Sequence, residues 1–159
     1  MKRTRRELEE AISLEWRRSQ NRGDAYDEAV ADALGLNRTD FRCLDILDQE
    51  GGRVPAGRLA GLMGLTTGAT TAMIDRLEEA GFAVRTRDPS DRRRVYVEPT
   101  AHARERGWEF YGPLEKMSAD LYGRYTVAQL EIVLDFLQAG GELSDRAFAQ
   151  LRAKLASSG

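Results

Sequence analysis

The sequence predicts a mainly α-helical fold with one small β-hairpin, and three observations support this fold class. Apolar residues recur at helical spacing along most of the chain. Strand-like alternation of apolar and polar residues is concentrated between residues 82 and 97. The length of 159 residues suits one hydrophobic core with an appended helical element.

Charge is distributed unevenly along the chain. There are 24 Lys and Arg residues against 26 Asp and Glu residues, so the net charge of −2 gives no general attraction to nucleic acid. Between Arg53 and Arg94, however, the sequence has eight arginines and five acids, which leaves +3 in this segment and −5 elsewhere. We therefore expect any anionic partner to bind this segment.

No feature of the sequence indicates a membrane protein or an exported one. No apolar run approaches the roughly 20 residues that a membrane span requires. The first residues, "MKRTRRELEE", lack the apolar core of a signal peptide, so we expect a cytoplasmic protein without a membrane partner. Cys43 is the only cysteine, which argues against an intrachain disulfide and a cysteine-based metal cluster, and we expect no cofactor. Cys43 lies on an apolar helix face, where an inert buried thiol and a redox sensor are the alternatives.

The first fifty residues predict helices. Residues 8–34 carry apolar side chains at helical spacing, and the sequence "NRGD" at 21–24 predicts a break or bend between two helical pieces. Asn37 is a good N-cap for the helix "RTDFRCLDILDQ", which the glycines at 51–52 should end.

Two short helices joined by a tight turn follow. Pro55 suits the first turn of a helix that Gly64 ends. Thr66 or Thr67 caps the next helix, "TGATTAMIDRLEEAG", which ends at Gly81. Two helices with such a connection form a helix-turn-helix pattern.

A β-hairpin is predicted directly after these helices. The segment "FAVRTR" places Phe82, Val84 and Thr86 on one side, which predicts a strand with one buried face. The sequence "DPSD" at residues 88–91 turns the chain, and "RRVYV" forms the return strand. Three arginines at 92–94 therefore lie at the hairpin tip.

The last third of the chain is predicted to be helical again. Gly112-Pro113 should kink the first of these helices. Thr126 and Gln129 have the spacing of a capping box for the next helix, which the glycines at 140–141 should end. Ser144 is then expected to cap a final helix.

A helix-turn-helix followed by a hairpin with arginines at its tip is the winged helix-turn-helix arrangement. Residues 59–100 resemble the DNA-binding core of the MarR family of bacterial transcription regulators. The matching features are the Gly-Leu-Thr turn at 64–66, "IDRLE" at 74–78, the Gly81 stop, the Asp91-x-Arg93 pair and the V-x-x-T ending at 97–100.

The helices around this core resemble the dimerisation elements of the same family. The resemblance implies three regions, which are an N-terminal helical dimerisation segment at 1–36, a winged helix-turn-helix DNA-binding domain at 37–100 and a C-terminal helical dimerisation region at 101–159. We expect a homodimer, since the first and last helices carry more apolar surface than a small winged-helix core can cover.

The family resemblance also implies roles for the hairpin tip. Arg93 is expected to reach the minor groove of DNA, and Asp91 to brace it. Arg87, Arg92 and Arg94 are then expected to contact phosphates, which gives affinity without sequence information.

The second helix of the pattern is expected to enter the major groove. Its first turns hold small residues, which let the backbone approach DNA, and their hydroxyl and methyl groups suit base edges and thymine. The expected contacts are Thr66, Thr67, Gly68, Thr70 and Thr71. Arg76 lies further along, where it either reaches a phosphate or pairs with Glu79 or Asp75.

The resemblance implies a MarR-like homodimeric repressor that binds a pseudo-palindromic operator in double-stranded DNA and is released by a small aromatic or amphipathic effector. Six aromatic residues belong to helices that flank the family's effector crevice or, alternatively, form the dimer core, namely Trp16, Phe41, Trp108, Tyr111, Tyr122 and Tyr125. The alternative function is a winged-helix protein-interaction module without sequence-specific DNA binding. An enzyme is not expected, because the chain has one His, one Cys and no nucleophile, metal or phosphate-loop motif.

Overall fold

The computed structural model describes residues 3–91 and 93–157. This part of the chain forms six α-helices and three β-strands, which confirms the predicted fold class of helices with a small sheet. The elements are α1 Arg5–Leu34, α2 Arg38–Gln49, β1 Val54–Pro55, α3 Ala56–Met63, α4 Thr67–Glu79, β2 Ala83–Arg87, β3 Val95–Pro99, α5 Ala101–Tyr122 and α6 Val127–Ser157. The chain divides into two compact units, Met1–Phe110 and Tyr111–Gly159.

Helix α1 is continuous, so the break predicted at residues 21–24 was wrong. The helix begins at a capping box between Thr4 and Glu7 and ends at Gly35, whose φ of 70° is left-handed. Gly23 lies within the helix, and a side chain added there would meet open space. One internal glycine costs only about 1 kcal/mol relative to alanine, which the surrounding helix-forming residues overcome.

Helix α6 also differs from the prediction. It runs without interruption through the glycines at 140–141, so the predicted double-glycine stop was wrong. Ser144 does not cap a new helix, because its hydroxyl donates to the carbonyl of Gly140 at 3.0 Å inside α6. The capping box at the start of α6 is confirmed, since the amide of Thr126 donates to Oε1 of Gln129 at 2.8 Å and the amide of Gln129 donates back to Oγ1 of Thr126 at 3.3 Å.

The sheet is antiparallel, with strand order β1-β3-β2. Strand β1 is a two-residue strand in which Val54 pairs with Val97, and two residues are too few for a recognisable alternation. The predicted buried side of β2 is found only in part. Phe82, just before the strand, is buried as predicted, whereas Val84 is 41% exposed and Ala83 on the opposite side is buried.

The core of the first unit lies between α2, α3, α4 and the sheet. Its fully buried side chains come from each of these elements and are Cys43, Leu47, Val54, Leu59, Met73, Ile74, Leu77 and Val97. Three of the eight belong to α4, so burial of one side of α4 fixes the direction of its opposite side. Among the described residues, no helix is long and apolar enough to cross a membrane.

Two glycine substitutions should separate helical continuity from a helix end. Gly23→Ala should raise the free energy of unfolding by up to about 1 kcal/mol, because alanine is the better residue inside a helix. Gly35→Ala, at a φ of 70°, should lower it by about 1 kcal/mol or more. Urea denaturation measures both variants, and a loss of stability in Gly23→Ala would contradict an unbroken α1.

Candidate nucleic-acid interface

The N-terminus of α4 follows a three-residue turn from α3. Gly64 closes α3 with a φ of 67°, and Thr66 is the N-cap of α4, with its hydroxyl oxygen 3.3 Å from the amide of Ala69. Of the two threonines predicted as caps, Thr66 is therefore the cap, and Thr67 is the first residue of the helix. This turn exposes the amide end of α4, where the helix dipole favours negative charge.

The small residues of α4 lie on two different sides of the helix. Thr67, Gly68 and Thr71 are exposed and form one surface together with Ala72. Thr70 is only 3% exposed, and its hydroxyl donates to the carbonyl of Thr66 at 2.9 Å. This burial argues against the predicted DNA contact by Thr70. Ala72 was not predicted, because an alanine in a helix gives no sequence signal of a binding role.

The hydroxyl of Thr71 also bonds to its own helix. It donates to the carbonyl of Thr67 at 3.0 Å, so its proton is already used. The chemistry that Thr71 offers outward is therefore a methyl group and the acceptor lone pairs of its hydroxyl oxygen. The exposed surface formed by Thr67, Gly68, Thr71 and Ala72, which we call the α4 reading surface, is thus rich in methyl groups.

Arg76 holds α4 against α2 through a two-point ion pair. Its Nε lies 3.0 Å from Oδ2 of Asp40, and its Nη2 lies 2.5 Å from Oδ1. Asp40 is buried and also accepts a bond from the side-chain amide of Asn37 at 2.7 Å. The predicted pairing of Arg76 with Asp75 or Glu79 was wrong. Hydrogen bonding to Asp40 raises the pKa of the Arg76 guanidinium, and the side chain remains 48% exposed.

Arg85 on β2 connects the hairpin to α4. Its guanidinium binds the carboxylate of Glu78, lies 2.7 Å from Asp75 and donates to the carbonyl of Thr71 at 3.2 Å. The backbone amide of Arg85 donates to Glu78 as well, at 2.7 Å. Sequence reasoning missed this role, although two acids three residues apart on a helix next to a strand arginine were a usable signal.

The hairpin, or wing, is closed at its tip by two aspartates. Asp88 accepts hydrogen bonds from the hydroxyl and amide of Ser90, at 2.6 and 2.8 Å, and from the amide of Asp91 at 3.3 Å. These bonds, that from the Ser90 hydroxyl first, lower the pKa of Asp88 to about 2. The turn therefore keeps its carboxylate charged over the whole physiological pH range.

Asp91 lies between two arginines of the tip. Its Oδ1 is 3.6 Å from Nε of Arg93, its Oδ2 is 3.6 Å from Nε of Arg94, and it accepts the amide of Arg93 at 3.1 Å. The Arg93 side chain is 95% exposed and that of Arg94 is 69% exposed. Arg87 is exposed at the end of β2. Arg92, also predicted as a contact, lies outside the described residues.

The outer face of the wing carries a further network. Arg53 stacks on the ring of Tyr96 at 3.8 Å, and its Nε lies 3.0 Å from Glu98. Glu98 accepts a bond from the hydroxyl of Thr86 at 2.5 Å, which is the main cause of its lowered pKa. This network joins β2 and β3 to the segment before β1.

Comparison with known proteins identifies the family. The model of the MarR family matches residues 36–95. The HTH-type transcriptional regulator YcgE of Bacillus subtilis (strain 168) is 36% identical to the chain over 149 residues, covering 94% of this chain and 96% of YcgE. The chain belongs to the MarR family. It is accordingly a transcriptional regulator of the helix-turn-helix type and not an enzyme.

Solved structures agree with the fold of this MarR family member. RV1404 from Mycobacterium tuberculosis superposes with a TM-score of 0.62 at 22% identity, covering 89% of this chain and 95% of RV1404. NadR, solved in complex with 4-hydroxyphenylacetate, gives a TM-score of 0.59 at 18% identity, covering 79% of this chain and 89% of NadR. At these identities the likeness shows the fold alone.

The remaining candidate residues of this MarR family member differ in exposure. Cys43 is fully buried, and burial raises the pKa of its thiol to about 12, which disfavours the reactive thiolate. Phe41 is also buried, whereas Trp108 and Tyr122 are more than half exposed. In the described part of the chain, no three His, Cys, Asp or Glu side chains are grouped as metal ligands.

Removal of Arg76 should reveal its positioning role. Arg76→Ala should lower the free energy of unfolding by about 1–3 kcal/mol, because Asp40 then stays buried without its guanidinium partner; the half-exposed Arg76 keeps the loss below that of a fully buried pair. The double variant Asp40→Ala/Arg76→Ala should lose less than the sum of the single losses. Chemical denaturation gives all three values, with exposed Arg17→Ala as the charge-matched control. Additive losses would mean that the pair does not couple α2 to α4.

Proposed function

We propose that this MarR family member is a homodimeric repressor that binds a pseudo-palindromic operator in the cytoplasm and is released by a small effector. The observation that carries this proposal is the wing tip, where the exposed side chains of Arg93 and Arg94 both pair with Asp91. The α4 reading surface supports it, since Arg85 ties α4 to the wing strand β2.

The proposed regions are a DNA-binding domain at 37–100 between dimerisation regions at 1–36 and 101–159. Each subunit places α4 in a major groove and the wing arginines in the flanking minor groove. The alternative is a protein-interaction module without DNA reading. That function does not explain why Arg93 is 95% exposed while Asp91 holds it in position. Selection from a random DNA library tests the proposal, since a repressor of this kind enriches an inverted repeat and an interaction module enriches none.

The effector is proposed to be a small aromatic or amphipathic molecule. NadR was solved with the aromatic acid 4-hydroxyphenylacetate, which supports this class. The candidate binding residues are the exposed aromatic side chains, of which Trp108 and Tyr122 are examples. The same side chains are alternatively part of the dimer core.

The dimer is proposed from the apolar surface of the long terminal helices. In the described part of α6 no residue is buried, although it carries many large apolar side chains. Those exposed in α6 are Val127, Ile132, Val133, Leu134, Phe136, Leu137, Leu143, Phe148, Leu151 and Leu155. A single chain rarely leaves so much apolar surface in water, so a second copy is the proposed cover.

Light scattering should report the mass of a dimer at micromolar concentration. Leu134→Glu should shift the mass toward a monomer, since a carboxylate would be buried without a partner in the interface. Gln150→Glu, at an exposed position about 160° around α6 from Leu134, adds the same charge on another side of the helix and is the matched control. A monomeric mass for the unmodified chain would refute the dimer.

Substitution of the two wing arginines by alanine should affect DNA binding in two different ways. Arg94→Ala should weaken binding to all DNA sequences about equally and lower the slope of log affinity against log salt by about one for each phosphate that is no longer neutralised. Arg93→Ala should instead cost about 1–3 kcal/mol per half-site, mainly at A·T-rich flanks, where the narrow minor groove concentrates negative potential. Fluorescence anisotropy with the selected operator at two salt concentrations measures both effects.

Asp91→Ala provides the decisive control for the brace. It should cause part of the loss of affinity expected for Arg93→Ala, because an arginine that Asp91 does not hold loses more conformational entropy when it enters the groove. General electrostatics predicts the opposite result, since removing a negative charge near DNA should tighten binding. Tighter binding by Asp91→Ala would show that the wing is only a basic tip.

The α4 reading surface should recognise thymine methyl groups. Replacing a contacted thymine by uracil removes only the 5-methyl group and should weaken binding by about 0.8 kcal/mol, or about fourfold, for each such thymine. Thr71→Ser removes the side-chain methyl group, so this variant should bind the thymine-containing and uracil-containing operators equally. Thr71→Val keeps a methyl group and should still prefer the thymine-containing operator. Uracil outside the half-sites is the control, and equal binding of both operators by the parent protein would rule out methyl reading.

A further inference from the structure

A second basic surface lies beside the N-terminus of α4. Arg38, Thr39 and Arg42, on the first two turns of α2, form what we call the α2 basic surface. Together with Met63 and Leu65 they line an open cavity of about 170 Å³. Leu65 directly precedes Thr66, the N-cap of α4, so the α2 basic surface adjoins the end of the helix that is proposed to enter the major groove.

Internal pairing removes the acidic residue from this surface. Asp40 lies between the two arginines in sequence, but its carboxylate is buried and held by Arg76 and Asn37. Arg38 and Arg42 are four residues apart and exposed, so they lie on one side of α2. The outward chemistry is therefore two guanidinium groups with the Thr39 hydroxyl to one side, and the exposed carboxylate of Asp45 acts on Arg42 through its charge.

The one ion pair on this surface that the structure records is a weak competitor for DNA. Nη2 of Arg38 lies 3.4 Å from Oδ1 of Asp24, and the side chains are 69% and 65% exposed. Exposed pairs of this kind contribute little to stability, so a phosphate can replace Asp24 at little cost. Both arginines line this open cavity, and both are exposed.

We propose that the α2 basic surface binds phosphates of the operator strand that borders the major groove occupied by α4. This inference rests on the proposed function, and it adds a third contact region to α4 and the wing. Guanidinium groups suit phosphate oxygens, because their planar donors can form two parallel hydrogen bonds. Such contacts fix the register of α4 on the duplex without reading bases.

The test compares arginine variants on the selected operator at several salt concentrations. Arg42→Ala should lower the slope of log affinity against log salt by about one per half-site, and Arg38→Ala/Arg42→Ala by about two. Arg42→Lys should keep most of the slope, because the charge remains. Arg146→Ala, an exposed arginine in the second compact unit, is the control with the same charge change.

Phosphate-ethylation interference locates the contact directly. The parent protein should show interference at phosphates bordering each half-site, and Arg42→Ala should lose part of that pattern while its preferred base sequence stays the same. If the alanine variant lowers the melting temperature, Arg42→Gln replaces it, because glutamine removes the charge but keeps most of the side-chain packing. An unchanged slope and an unchanged footprint in the Arg38 and Arg42 variants, with Arg94→Ala still affecting the slope, would overturn this inference alone. Absence of operator binding by the parent protein would instead overturn the proposed function.

Discussion

The geometry of the interface depends on the guanidinium of Arg85. It lies on the first strand of the wing and bonds to Asp75, to Glu78 and to the Thr71 carbonyl of α4. The hairpin gains only the two-residue strand β1 as a further partner, so its direction relative to α4 depends on contacts such as these and on the burial of Val97. The side chain is 28% exposed, which screens the attraction only partly. Arg85 thus acts together with the buried side chains of the sheet to fix the angle between the two elements proposed to enter neighbouring grooves.

The uneven distribution of charge explains how a chain with a net charge of −2 can present a basic surface, since residues 53–94 carry +3. Acids near the interface are bound internally, as Asp40 is by Arg76 and Asp91 is by the arginines at the wing tip. Such pairing cancels the field of the cation as much as that of the carboxylate, so the arginines in excess of the acids give the surface its basic character. The total charge therefore says little about where an anion binds, and the local excess of arginines decides it.

The helix-turn-helix and the hairpin could be predicted from sequence because their ends have strong local signals. Thr66 and Gly64 are recognisable as a cap and a left-handed stop, and both positions are confirmed. Gly23 and the glycines at 140–141 misled the prediction, since whether a glycine ends a helix depends on the stability of the turns around it. The pairing of Arg76 with Asp40 joins residues 36 positions apart, and no local pattern announces a contact of that range.

The two neighbouring threonines of α4 show why site residues are harder to predict than the fold. Thr70 and Thr71 have the same chemistry, and each donates its hydroxyl to a carbonyl one turn earlier. A rotation of about 100° per residue places Thr70 in the core and Thr71 in solvent. Because stability depends on the buried side and the proposed base reading on the exposed side, substitutions at Thr71 or Ala72 can change DNA preference with little effect on folding. A regulator built this way can acquire a new operator while its core remains unchanged.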